Sequence, residues 1–247
     1  MLEVKNVSKQ YKGEDKLLFD AVSDVSLPME DHHIYALVGE SGCGKSTVFR
    51  LINGLEKPQN GEIFVDGKNI KDIKNYSAYM PQKDLLFPWR TIEKNICLAP
   101  EIQKADKKET KTKAEEILKE VGLWDYKNKY PRDLSGGMRQ RASFARTLLS
   151  GGNLMLLDEP FSALDSITRI SLQEWLLKEW EKHKKTILFV THDVEEAIFL
   201  SQKIFVVSDR PITHFQEFKI DLPYPRNRAD MARSDIAALK EMLIKHL

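Results

Sequence analysis

Apolar runs with turn residues on either side recur along the chain. Ile34 to Val38 is continuously apolar, and Asn153 to Leu157 and Thr186 to Val190 are nearly so. Such runs predict strands buried on both faces. Lys203 to Val207 predicts a further strand, and Gly61 to Gly67 a short one between turn signals. The opening segment differs: Leu2, Val4 and Val7 lead into Ser8-Lys9-Gln10-Tyr11, and Phe19 to Leu27 alternates partly at period two. These are strands and turns. Helices are expected at Thr47 to Ile52, closed by Asn53-Gly54, at Gly137 to Leu149, Ile167 to Lys182 and Val194 to Ser201, and from about Arg228 to Leu247. From about Asp84 to Ser135 the texture is helical, with Asp106 capping a helix that runs through Ala114, Ile117, Leu118 and Val121 to Gly122. Strands alternating with helices predict an α/β fold with a mainly parallel sheet.

Composition narrows the classes. A chain of 247 residues fits one α/β domain, or one carrying a smaller insertion. Hydrophobic residues at 42% and charged residues at 30% are ordinary for a soluble globular protein. A formal charge of +1 gives no general attraction for nucleic acid or anionic lipid. Five lysines fall between Lys104 and Lys113, but glutamates lie nearby and no aromatics are interleaved. A solvated helix face is favoured there over a nucleic-acid patch. The only cysteines, Cys43 and Cys97, make a disulfide framework unexpected. No secretory signal follows Met1, and no run reaches the roughly 20 apolar residues of a membrane span.

Three stretches carry the chemistry. Gly39-Glu40-Ser41-Gly42-Cys43-Gly44-Lys45-Ser46 fits G-x-x-x-x-G-K-[ST] between a buried strand and a helix. Its backbone N–H groups would surround a β-phosphate at the helix start, with Lys45 on the β- and γ-phosphates and Ser46 on Mg²⁺. Leu154 to Leu157 ends in Asp158, placed to hold Mg²⁺, and Glu159, placed to activate a water against the γ-phosphate. Between them, Ser135-Gly136-Gly137 opens a helix and offers a second anion site. ATP and Mg²⁺ are the expected cofactors. One chain cannot easily present both anion sites to one phosphate, which points to two copies meeting.

Leu134-Ser135-Gly136-Gly137-Met138-Arg139-Gln140-Arg141, placed ahead of Leu154-Met155-Leu156-Leu157-Asp158-Glu159-Pro160, resembles the signature of the ATP-binding cassette (ABC) ATPases. The resemblance runs from Leu2 to at least Arg228. It implies one domain over 1–247: a P-loop NTPase core of about 1–83 and 151–247 with an N-terminal antiparallel β subdomain, and an α-helical subdomain inserted at about 84–150. The nucleotide contacts it implies are the loop from Gly39 through Thr47, Ser135, Gly136 and Gly137 of the opposite copy, and Tyr11, which matches the adenine-stacking aromatic. A buried sheet tyrosine is the alternative for Tyr11. Gln82 matches the glutamine on Mg²⁺ and the attacking water. Asp165, in Ser162-Ala163-Leu164-Asp165, matches the loop that pairs across the dimer, and His192 the switch histidine at the γ-phosphate.

The same resemblance bears on the role. A short separate cassette favours a subunit docked on a distinct transmembrane permease, peripheral at the cytoplasmic face, and served indirectly by an extracytoplasmic solute-binding protein. Lys83 to Thr91 offers apolar side chains to a partner helix, or else packs on its own domain. That stretch, and the tail around Ser208-Asp209-Arg210-Pro211, resembles importers of nitrate, sulfonates, taurine and thiamine precursors. An exporter cassette and a soluble ABC ATPase are the alternatives.

Overall fold

The computed structural model describes residues 2–13 and 17–247. Met1, where the expected domain begins, lies outside them. In chain order come β1 (Leu2–Lys12), β2 (Leu18–Met29), β3 (Ile34–Gly39), α1 (Lys45–Ile52), β4 (Asn60–Val65), β5 (Lys68–Asn69) and β6 (Ser77–Met80). There follow α2 (Ile92–Ile96), α3 (Leu98–Ile102), α4 (Lys107–Glu120), α5 (Gly136–Leu149), β7 (Leu154–Asp158) and α6 (Ser166–His183). Last are β8 (Thr186–Thr191), α7 (Val194–Leu200), β9 (Lys203–Val207), β10 (Gln216–Lys219) and α8 (Ser234–Lys245). The chain divides into two compact units, residues 1–76 with 184–247, and residues 77–183. Among the described residues no helix is long and apolar enough to cross a membrane.

In the first unit β1 pairs antiparallel with both β2 and β4, in the order β2-β1-β4-β5. The partial alternation of Phe19 to Leu27 becomes the two faces of β2, with Val22, Val25 and Leu27 buried and Asp24 and Ser26 exposed. In β1 Leu2, Val4 and Val7 are buried, while Glu3 and Lys5 form an ion pair at 2.7 Å. Every residue of β3 is buried. It lies between β8 and β9, parallel to both, and β10 runs antiparallel on β9. Burial on both faces removes any need for alternation, which is why these strands read as continuous apolar runs. The register Val38↔Thr191 brings the ends of β3 and β8 to one edge. The glycine-rich loop and His192 both leave from that edge.

The second unit repeats the device. β6 and β7 are parallel, from Ser77↔Leu154 to Met80↔Leu157. Gln82 and the two carboxylates after Leu157 therefore leave from one edge as well. The 84–150 segment contributes helices α2 to α5 and no strand. α4 starts where expected: the Asp106 side chain accepts from the Glu109 amide at 2.8 Å, and Gly122 takes the left-handed conformation after the helix.

The tail differs from expectation. A single helix from about Arg228 to Leu247 is instead a 3-10 turn, Arg228–Ala232, then a break, then α8. Asn227 and Asp230 cap each other's backbone around the turn. Arg233 is extended, at φ −66° and ψ 143°, with its guanidinium on the Asp235 carboxylate at 2.6 and 3.0 Å. Local capping thus outcompetes helix continuation.

Arg226 fastens this tail to the core. Its buried guanidinium donates to the carbonyls of Ile198, Phe199, Ser201 and Leu222 at 2.8 to 3.1 Å. Three of these belong to the last turn of α7 and its cap, carbonyls that a helix leaves without partners. Burial lowers the guanidinium's pKa, yet it stays charged in neutral water. Arg226→Ala is expected to destabilise the fold by about 3 kcal/mol, read as a shift of the urea unfolding midpoint at constant m-value. A midpoint unmoved by the substitution would show that other groups satisfy those carbonyls.

Candidate active site

The first unit builds the phosphate loop. Gly42 and Gly44 sit at φ +77° and +117°, which side chains rarely adopt. At Gly44 an added Cβ would also come within 2.9 Å of the Ala21 carbonyl oxygen. No side chain caps α1, so its leading amides are left for an anion. Lys45 is only 8% exposed, and its Nζ donates to the carbonyls of Gly39 and Glu40, both at 2.7 Å. Cys43 and Thr47 are buried, Ser46 is half-buried, and Glu40 and Ser41 are exposed.

Tyr11 lies half-buried near the end of β1. Its hydroxyl donates to Glu56 Oε2 at 2.7 Å, and Glu56 is also paired with Lys9 at 3.2 Å and Arg50 at 3.5 Å. Burial pushes the Tyr11 phenol up, and the Glu56 carboxylate adds to it. Burial alone would raise Glu56 too, but the hydrogen bonds from Tyr11 and Lys9 and the charges of Lys9 and Arg50 hold it below the usual carboxylate range. His192 is exposed on the turn after β8. The next residue fixes that turn, since the Asp193 amide donates to Thr191 Oγ1 and its side chain caps α7.

The second unit gathers the carboxylates. Asp158, 4% exposed, ends β7. Glu159 then takes a left-handed backbone at φ 49°, which turns its side chain out of the strand path. There Glu159 Oε2 accepts from Gln82 Nε2 at 3.0 Å, which joins two of the expected residues directly. Ser135 caps α5, its hydroxyl accepting from the Met138 amide at 3.3 Å. A Cβ on Gly136 would make only an ordinary contact, 3.9 Å from Arg139 Nη2, whereas one on Gly137 would lie 3.2 Å from the Ala163 carbonyl oxygen. Asp165 caps α6 by accepting from the Thr168 amide at 3.0 Å, and that bond lowers its carboxyl pKa.

Several supporting residues were not singled out from the sequence. Buried Gln140 donates from Nε2 to the carbonyls of Glu159 and Pro160, at 3.3 and 3.4 Å, and so ties α5 to the turn after β7. Arg139 pairs with Asp84 at 3.0 Å, and Arg146 donates to the carbonyls of Asp84 and Leu85. Asn95 is fully buried and accepts from the Phe87 amide while donating to the carbonyls of Phe87, Arg90 and Thr91. Together they pin the loop that follows Gln82, leaving Leu85 and Trp89 exposed at 60% and 71% and burying Leu86. A residue ahead of a helix can be read as a cap from sequence, but the bonds of Gln140, Arg139 and Arg146 join positions 19 to 62 apart.

Residues 22–162 match the family model described as ABC transporter. The chain is 42% identical to the formylaminopyrimidine import ATP-binding protein ThiZ of Halalkalibacterium halodurans, over 89% of this chain and 84% of that protein. It is 38% identical to the aliphatic sulfonates import ATP-binding protein SsuB of Bacillus cereus, over 95% of this chain and 92% of that one. Among solved structures it resembles a dimeric ATP-binding cassette in a post-hydrolysis state bound to ADP and phosphate, with a TM-score of 0.80 and 31% identity, covering 90% of this chain and all of that one. Phosphate loop, signature helix and paired carboxylates thus stand in a chain that is alike to such cassettes over about nine-tenths of its length, and the protein belongs to the ABC transporter family as an ATP-binding subunit with the fold and ATPase activity of that family.

Proposed function

We propose that this chain is the ATP-hydrolysing subunit of an importer, energising uptake of a small solute through a separate transmembrane permease. The observation that carries the reading is the Gln82–Glu159 hydrogen bond. It links the group proposed to activate water to the start of a pinned loop with exposed apolar side chains, as transmission from a partner requires. The import names of ThiZ and SsuB support the direction of transport. The proposed solute is of the nitrate, sulfonate or taurine kind, or a vitamin precursor; the names of the two relatives bear on the aliphatic sulfonate and the formylaminopyrimidine members of that range. The protein would work as a peripheral subunit at the cytoplasmic face, with an extracytoplasmic solute-binding protein delivering the solute to the permease.

In this mechanism two copies close on ATP. The loop from Gly39 to Thr47 of one copy holds the phosphates, and Ser135, Gly136 and Gly137 of the other cover them. Mg²⁺ is the fitting metal, because Ser46, Gln82 and Asp158 offer hard oxygen donors. When bound, the ion neutralises developing phosphate charge. Glu159 accepts the proton of the attacking water, Gln82 orients it, His192 donates toward the γ-phosphate, Lys45 holds the β- and γ-phosphates, and Asp165 faces the partner copy. Closure can shift the permease only by the differential affinity of ATP for the closed state.

Tyr11 would stack on adenine, fixed in place by Glu56. Tyr11→Phe should keep ATP affinity within about threefold, whereas Tyr11→Ala should lose about 1–3 kcal/mol of it. Equal affinities for all three chains, by titration with a fluorescent ATP analogue, would remove the stacking role.

The test of function is recovery of tagged Glu159→Gln protein from gently solubilised native membranes with ATP. A multi-span permease together with a solute-binding protein is expected. A permease alone would favour an exporter, and ribosomal or DNA-associated proteins alone would refute transport.

A further inference from the structure

We infer that Arg210 is a positioning residue for the phosphate loop, a second cation that holds the loop's carbonyls outward so that its amides face the anion. The inference rests on the reading of Gly39–Ser46 as the ATP phosphate site. Three consecutive carbonyls open that loop. Lys45 accounts for the first two, those of Gly39 and Glu40. The third, that of Ser41, accepts from Arg210 Nη2. A peptide whose carbonyl is fixed outward has its N–H fixed on the opposite side. The same guanidinium fills the space beside Gly42, where a Cβ would lie 3.1 Å from Nη2.

The segment carrying Arg210 is itself anchored. Ile212 exchanges backbone hydrogen bonds with β2, its amide donating to the Ala21 carbonyl at 3.2 Å and its carbonyl accepting from the Ser23 amide at 2.8 Å. The Ile212 side chain is fully buried, and its Cδ1 lies 3.2 Å from where a Cβ on Gly44 would be. Asp209 accepts from Thr213 Oγ1 at 3.1 Å and lies 3.1 Å from His214 Nδ1, closing the bend around Arg210. Arg210 is therefore presented to the loop by a braced strap. When ATP draws Lys45 toward its phosphates, Arg210 remains as the carbonyl partner that need not move.

The experiment compares the purified full-length parent with Arg210→Ala, Arg210→Gln and Arg210→Lys, by equilibrium titration with ATP, steady-state hydrolysis and thermal unfolding. Arg210→Ala should raise the ATP dissociation constant and KM roughly fivefold to tenfold with kcat within about twofold, as expected for loss of one charge-assisted bond at an exposed group. Arg210→Lys and Arg210→Gln, which keep a donor, should each recover part of the loss. Arg210→Ala affinity within about twofold of the parent overturns the inference. So does a deficit identical in all three variants, or one that disappears in about 0.5 M salt, where a screened charge and not a fixed bond would be responsible. If Arg210→Ala unfolds, the Lys and Gln variants carry the comparison alone. Normal ATP binding by Lys45→Ala would overturn the phosphate-loop reading itself, which separates that failure from a failure of Arg210.

Discussion

Glu159→Gln is expected to cut ATP turnover by roughly 10²–10⁴-fold while leaving ATP affinity within about threefold. The substitution keeps the size and planarity of the side chain, so the left-handed turn at Glu159 and the contact with Gln82 can both persist. The Gln82 amide can present either of its ends to a new amide. What disappears is the capacity to take a proton from water. The closed state would then accumulate, so a molar mass near twice that of the monomer is expected by light scattering with ATP and Mg²⁺, but not without nucleotide. Steady-state phosphate release checks the rate. Turnover within about tenfold of the parent would take the base role away from Glu159.

Lys45→Ala acts earlier, on binding. It removes an ammonium held at the phosphate loop and leaves the carbonyls of Gly39 and Glu40 without that donor. Charge-assisted bonds of this kind are worth about 2–3 kcal/mol, so ATP affinity should fall by roughly 30–150-fold. Titration with a fluorescent ATP analogue reads the loss, and a thermal melt without nucleotide separates it from any loosening of the loop. Unchanged affinity would mean that the loop binds no phosphate. The two variants are complementary, because one keeps nucleotide and loses chemistry while the other loses nucleotide first.

The local structure around each motif was legible wherever the motif is contiguous. A glycine-rich loop between a buried strand and a helix, or two carboxylates at a strand end, is complete within a few residues, and the helix caps Asp106 and Ser135 are equally local. β6 escaped as a strand because only Ala78 and Met80 of its four residues point inward, too short a pattern to register. The break at Arg233 escaped because the 228–247 stretch has a helical period and the decision lies in side-chain caps. Glu56 on Tyr11, Gln140 on the Pro160 carbonyl and Arg210 on Ser41 span 45, 20 and 169 positions, and no local pattern announces them. Tyr11 itself could be singled out, but its anchoring partner could not.

Arg226 also sets an order of events during synthesis. The last turn of α7 leaves the ribosome with the carbonyls of Ile198, Phe199 and Ser201 waiting for a donor that comes 25 to 28 residues later. At ordinary elongation rates that interval is roughly 1–6 s. During it, α7 can form but its end cannot be sealed, and the buried Phe199 and Leu200 beside it stay liable to exposure. A nascent chain stalled before Arg226 should therefore be a better chaperone client, and a better protease substrate, than one stalled just after it has emerged.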